Sequence, residues 1–456
     1  MKNKIALFLV GCLILILPSC IGPGTEYDYD IIPNCQIGSF SLEHSSISSL
    51  KTTKFTIDQL NGLIFNQDSL PYGTKIDKVV ANVTYASSSS VRFAEVVQEA
   101  VNDSLKYWNG TDSLDFSKQV KFVITAINGL SKKNYTVQIN VHQIVPDSMV
   151  WQRLVDLGET DERKIIPYIY NNTDYYYMYT SNGGTYKLQT SLASNPTNWT
   201  DVGTLTGLPA NQIVLSCITE YEGALYVTSK TGNLYRSTDG RNWGQVISAP
   251  DIRVLLGVVK EEATAKLPSA LAAIGQKDGS FYFKSMNKSG EWTEGDVVYE
   301  AFPVTGFGTT TYNSMYREYL LLAGGRTKAN ALTSAVWTTM NGISWSLIKD
   351  SEPAYFEIRE GLMLTNYDDK LFLLGGMGAD GNAYKDIYLS KDKGISWVKT
   401  DSLVIMPEAY NPKAFASMIV DKETNYMYLF GGKETNGGKD LGEFWRGRIN
   451  RLGFGK

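Results

Sequence analysis

Histidine is nearly missing from this chain: His44 and His142 are the only two among 456 residues. Both precede the stretch where internal repeats begin. A copper oxidase or a His-dependent hydrolytic triad needs imidazole, so neither fits the repeat region. Cysteine is also scarce, with four in the chain. Cys35 and Cys217 lie far apart in the sequence and read as two buried thiols rather than a disulfide. No basic stripe appears and the formal net charge is −4, which argues against nucleic acid as a partner. There is no phosphate-cradling glycine loop and no zinc spacing, so neither cofactor nor metal is expected. The longest apolar run, residues 5–17, is too short to span a bilayer comfortably and fits a secretion signal.

That run ends in Leu17-Pro18-Ser19-Cys20, which resembles the bacterial lipobox. The resemblance implies a signal peptide over 1–19 and lipid attachment at Cys20. The expected membrane partnership is therefore an anchor, in the envelope of a Gram-negative bacterium, at its outer membrane or cell surface. A polar, glycine-containing tether follows over 20–32. Its acidic residues Glu26, Asp28 and Asp30 resemble the export signals of Bacteroidetes-type surface lipoproteins.

What is abundant is tyrosine (28), glycine (41) and tryptophan (9), a profile of short aromatic strands joined by glycine turns. The expected class is all-β. Residues 33–145 contain one clear hairpin, in which Val120, Phe122, Ile124 and Ala126 alternate, Asn128-Gly129 turns, and Tyr135, Val137, Ile139 and Val141 alternate again. This segment resembles the Ig-like β-sandwich modules that separate anchor from functional domain in such lipoproteins.

From residue 146 a period takes over. Trp151, Trp199, Trp243, Trp292, Trp345 and Trp397 recur at intervals of about 50 residues. The stretches "LYRSTDGRNW", "FYFKSMNKSGEW", "VWTTMNGISW" and "IYLSKDKGISW" share one grammar: an aromatic-bearing strand, Ser or Thr, a polar turn, then Trp. Upstream, "YLLLAGG", "LFLLGG" and "YMYLFGG" each close an apolar strand with paired glycines. Four short strands per period is the pattern of a propeller blade. The last unit lacks its turn-plus-Trp strand, and a lone strand precedes the first unit. Residues 148–155 are therefore expected to complete the last blade of a six-bladed β-propeller spanning 146–456.

Ser237, Asp239, Gly240 and Trp243 resemble the Asp-box of sialidases and related propellers. Asp392, Gly394 and Trp397 do so in a turn one residue longer, and Asn341 replaces the acid in a third copy. The motif repeats around the ring, so its expected role is structural: a turn brace with a Trp packed between sheets. The paired glycines resemble kelch repeats. Together these features resemble an uncharacterised class of Bacteroidetes surface lipoproteins with an Ig-like module and an Asp-box/kelch-like propeller.

A binding surface is expected where the loops between second and third strands converge with the lead-in to each blade. Those loops offer Arg326, Lys328, Asp380, Asn382, Tyr384, Lys433 and Glu434. The lead-in segments add Arg253, Arg359, Tyr410 and Asn411. Amides, mixed charge and aromatics suit a glycan or protein ligand bound without chemistry. The alternative is a sialidase-like glycoside hydrolase, for which Arg163 within "RKIIP" is the nearest candidate for a first-blade arginine. No nucleophile–acid pair can be assembled, and catalytic residues stay unassigned. The run Tyr175-Tyr176-Tyr177 is expected to fill blade interfaces, with a sugar platform as the other option.

Overall fold

The computed structural model describes residues 34–98, 102–261, 268–315, 317–349 and 356–451. Cys20, the leader over 1–19 and the tether over 20–32 lie outside the described residues. The chain divides into two compact units that meet at Val145 and Pro146.

The N-terminal unit is two β-sheets around one apolar core. One sheet has Val79–Tyr85 in the middle, between Ile37–Glu43 and Ser113–Leu114. The other has six strands, with the hairpin Val120–Ala126 and Lys132–Gln138 at its centre. Val120, Phe122, Ile124 and Ala126 are all fully buried, as strict alternation on an inward face requires. Gly129 takes φ 70° at the turn, and the Asn128 side chain accepts hydrogen bonds from the N–H groups of Leu130 and Ser131. The second hairpin strand stops at Gln138, short of the alternation expected through Val141. A parallel pair, Leu63–Asn66 against Lys132–Gln138, also departs from a simple meander. Phe40 and Leu42 of the small sheet join Phe122 and Ile124 of the large one in a single cluster.

The second unit contains six four-stranded antiparallel sheets. Sheet I runs through Glu162–Tyr170, Thr173–Asn182, Thr185–Leu192 and Thr200–Thr204; sheet II through Thr219–Tyr221, Ala224–Thr228, Leu234–Ser237 and Gly244–Gln245. Sheet III holds Ile252–Val259, Ala270–Lys277, Ser280–Met286 and Trp292–Val297; sheet IV holds Gly308–Ser314, Arg317–Ala323, Val336–Thr339 and Ser346–Lys349. Sheet V is Met363–Tyr367, Lys370–Leu374, Ile387–Ser390 and Val398–Lys399. Sheet VI has Ser417–Asp421, Tyr426–Phe430 and Glu443–Ile449, and takes Met149–Asp156 as its fourth strand.

The first strands of successive sheets adjoin, and that of sheet VI returns to that of sheet I. An open arc of six sheets has five interfaces. Here there are six apolar clusters, one for each neighbouring pair including VI with I. Tyr177 packs toward sheet II and Tyr176 toward sheet VI, as successive side chains on a strand must. Both are buried. Tyr175 is half-buried beside the first of those clusters.

Polar staples cross the same interfaces. The Tyr168 hydroxyl donates from sheet I to carbonyls of Gly223 and Thr238, the Tyr221 hydroxyl bonds Ser269, and the Tyr367 hydroxyl donates to the Asn425 carbonyl. At the seam, the Ile165 N–H donates to the Ser417 hydroxyl at 2.9 Å.

Candidate functional site

The recurring turns between third and fourth strands are braces. At the first, the Gly240 N–H donates to the Ser237 hydroxyl, whose own proton goes to Asp239. The same carboxylate accepts from the N–H groups of Arg241 and Asn242 at 2.9 and 2.8 Å. Trp243 then returns its indole N–H to the Gly240 carbonyl. The turn around Asn341 repeats the scheme with an amide oxygen in place of the carboxylate, and that around Asp392 repeats it with one more residue. Partial burial alone lifts the Asp239 carboxyl; donors from Asn242, Arg241 and Ser237 outweigh it and hold the group below its usual range. Every strong partner of these acids is local. Gly240 takes φ 80° and lies against the Tyr177 ring, so neither conformation nor space admits a side chain.

The paired glycines serve the opposite kind of approach, between neighbouring sheets. Gly324 and Gly325 take φ 63° and 98°, and Gly375 and Gly376 take 62° and 98°. The Gly325 N–H donates to the Arg359 carbonyl and the Gly376 N–H to the Lys413 carbonyl, each in the lead-in to the next sheet. Any Cβ on Gly375 collides with the Lys413 carbonyl.

With the Asp440 N–H, which donates to the Thr160 carbonyl ahead of sheet I, these contacts draw three loops and three lead-in segments into one rim. Arg326 pairs with Glu360 at 2.7 Å and donates to the Asn330 carbonyl. Loops 375–386 and 431–440 are laced together: the Ala383 N–H donates to the Glu434 carbonyl at 3.2 Å, and the Asn436 N–H to the Gly381 carbonyl. Asp380 closes a local turn onto both the N–H and the side-chain amide of Asn382. Tyr384 is half-buried, its ring 4.4 Å from the Arg359 guanidinium. Lys433 pairs backbone to backbone with Ala414.

Arg359 does not face solvent, which corrects its expected place among the ligand contacts. It is fully buried and donates to the Gly375 carbonyl and to Asp386 at 2.8 Å, and it also pairs with Glu357. Two tyrosine rings, Tyr384 and Tyr388, lie 4.4 and 5.4 Å from its guanidinium carbon. A planar cation with five donors suits this position; it props Tyr384 rather than touching a ligand. Tyr410 is likewise buried, against Trp445 and the Lys413 ammonium. Arg253 sits apart from the rim group, bound to Asp251 and the Lys230 carbonyl, while Lys328 lies over the Phe281 ring.

Sequence reasoning missed the buried ion pairs beneath the rim. Arg163 meets Asp440 at 2.7 Å, joining sheet I to the end of the last loop. Asp440 also accepts from the N–H groups of Gly432 and Gly442. Burial pushes the Asp440 carboxyl up and the Arg163 guanidinium down, and the attraction between them opposes both shifts. Lys413 pairs with Glu443, which also accepts the Trp445 indole N–H. The available signal was an acid at the end of a long loop, directly before a buried strand.

The family model described as "DUF6242 beta propeller domain" matches residues 145–456, and that of the DUF6242 N-terminal domain, a domain of unknown function, matches residues 39–139. The chain belongs to the DUF6242 family. Residues 146–456 are its β-propeller domain, and the whole described chain is built mainly of strands. One similar solved structure, described as "Structure of YjhT", aligns at 15% identity and a TM-score of 0.45 over 63% of this chain and 96% of that one. No curated protein matches the chain.

Proposed function

We propose that this DUF6242 chain is an envelope-anchored lipoprotein whose six-bladed propeller, carried on an Ig-like spacer, binds an extracellular glycan or protein at the loop rim without chemistry. The supporting observation is how the rim's charges are disposed. Arg163, Arg326 and Arg359 are each held by a neighbouring carboxylate, so none of the three is free to hold an acidic substrate. What faces outward around Asn382 and Tyr384 is amide, backbone and aromatic surface, with the exposed charges of Asp380 and Lys385 beside it. Such a surface recognises hydroxyls and ring faces and leaves them unchanged. The Asp-box-like turns and kelch-like glycine pairs hold the blades together.

The test is a glycan array run with the full chain in mild detergent, beside a panel of fluorogenic glycosides. Binding without turnover, weakened by Tyr384→Ala and Asn382→Ala, supports the reading. Turnover that disappears on mutating one rim carboxylate replaces it with a glycosidase. An array on which no bound glycan is weakened by either rim substitution removes the rim from the account.

A further inference from the structure

Trp292 occupies the repeat position that Trp243, Trp345 and Trp397 occupy elsewhere, and it alone is built differently toward solvent. Those three are buried, each with its indole N–H on the carbonyl of the glycine three residues earlier. In "MNKSGEW" the glycine stands two residues before the tryptophan, so that bond cannot form. Instead Asn287 gathers the turn, accepting from the N–H groups of Ser289 and Glu291 at 2.9 and 3.0 Å. Trp151 and Trp199 also lack the turn bond, but their indole nitrogens are sealed from solvent. The Trp292 indole N–H has no partner among the described residues, and the ring lines a cleft of about 460 Å³ on the flank of sheets II and III.

The ring is nevertheless held, because it packs against the apolar cluster that includes Leu255, Leu271 and Met286. Around it the cleft carries Ser248, Lys284, Glu291 and Glu294. Lys284 is a nearly buried cation whose ammonium meets Glu294; Lys277 approaches the same carboxylate at 3.5 Å. The Asn287 amide donates to Glu291 at 2.9 Å and so fixes its orientation. One held aromatic face thus stands beside two oriented carboxylates, an ammonium and a free indole donor.

The geometry points to a second ligand site here, independent of the rim, that takes a neutral sugar residue stacked on Trp292 with its hydroxyls bound by Glu291 and Glu294. A flat apolar face meets the C–H side of a pyranose, and paired acceptors suit adjacent hydroxyls. Lys284 and Lys277 both meet Glu294, so the two carboxylates are balanced by two ammonium groups and the site favours a neutral sugar.

The experiment titrates the full chain with hexasaccharides of glucose, mannose, galactose and N-acetylglucosamine, and with sialylated galactose oligosaccharides for comparison. At least one neutral hexasaccharide is expected to bind saturably, and Trp292→Ala to weaken it about tenfold or more. Trp292→Phe should keep most of the affinity, and Glu291→Gln, on an exposed side chain, should lower it if Trp292→Ala fails to fold. Tyr384→Ala should leave this binding unchanged. Absence of binding by every neutral hexasaccharide, or binding indifferent to both Trp292→Ala and Glu291→Gln, overturns the site. Loss in Tyr384→Ala alone moves sugar binding to the rim and leaves the rim reading standing.

Discussion

Trp151 lies directly opposite Gly447 across an antiparallel ladder, and its ring covers the glycine so closely that a Cβ there would stand 2.5 Å from Cε3. This contact joins the start of the propeller to its end. Gly447 does not need unusual backbone angles; it needs the room. Gly447→Val should therefore cost about 1–3 kcal/mol by overpacking, read as a shift in denaturant midpoint. An unchanged midpoint would mean that the strand carrying Trp151 yields without loss.

The turn braces are predicted to tolerate amide for acid. Asn341 already does this work in one copy. Asp239→Asn should be near neutral at pH 7, while Asp239→Ala strands the N–H groups of Arg241 and Asn242 and should cost about 1–2 kcal/mol. Denaturation curves of the two variants compare the outcomes.

The same acids set a pH limb. Burial raises, and the local donors lower, the carboxyls of Asp239 and Asp392; the donors prevail in both. A carboxyl held lower in the folded state stabilises above its unfolded value of about 3.9, and that contribution disappears as pH falls through the folded value. The double variant Asp239→Asn, Asp392→Asn should flatten the fall in Tm below about pH 4. An identical fall in wild type and variant would assign the limb to other groups.

How much of this was legible in the sequence depends on what each residue must do. Tryptophans recur because every four-stranded unit needs one bulky residue at the same corner, so the period survives where the turns diverge. The unmatched strands at 149–156 and 443–449 could be seen as unfinished, and in the structure they pair. Arg359 was illegible: an arginine in a polar lead-in looks solvated, and nothing local shows that Glu357, Asp386, Tyr384 and Tyr388 close around it. The exposure of Trp292 was half-visible, in a glycine displaced by one position. The parallel strand pair of the N-terminal unit left no periodic trace, because either neighbour buries the same faces.

Arg359→Ala should destabilise the propeller by about 3–5 kcal/mol, since it empties a fully buried position and leaves the part-buried Asp386 with only the exposed Lys399, 3.7 Å away, as a cationic partner. Arg326→Ala, at a more exposed pair, should cost about 1 kcal/mol or less. Equal losses would contradict the distinction between prop and surface pair.

Cys20→Ala should move the chain from the membrane fraction to the soluble fraction of its host and abolish incorporation of labelled palmitate. Retention in the membrane with unchanged labelling would remove the lipid anchor.

Rim, cleft and braces all presuppose a closed ring. Hydrogen exchange followed by mass spectrometry on the full chain measures closure directly. The amides of 149–156 and 443–449 should exchange together, as slowly as the central strand Tyr426–Phe430, because the clasp opens only when the ring does. Fast exchange in 149–156 while 426–430 stays protected would show a strand that frays on its own, and the ring would be open.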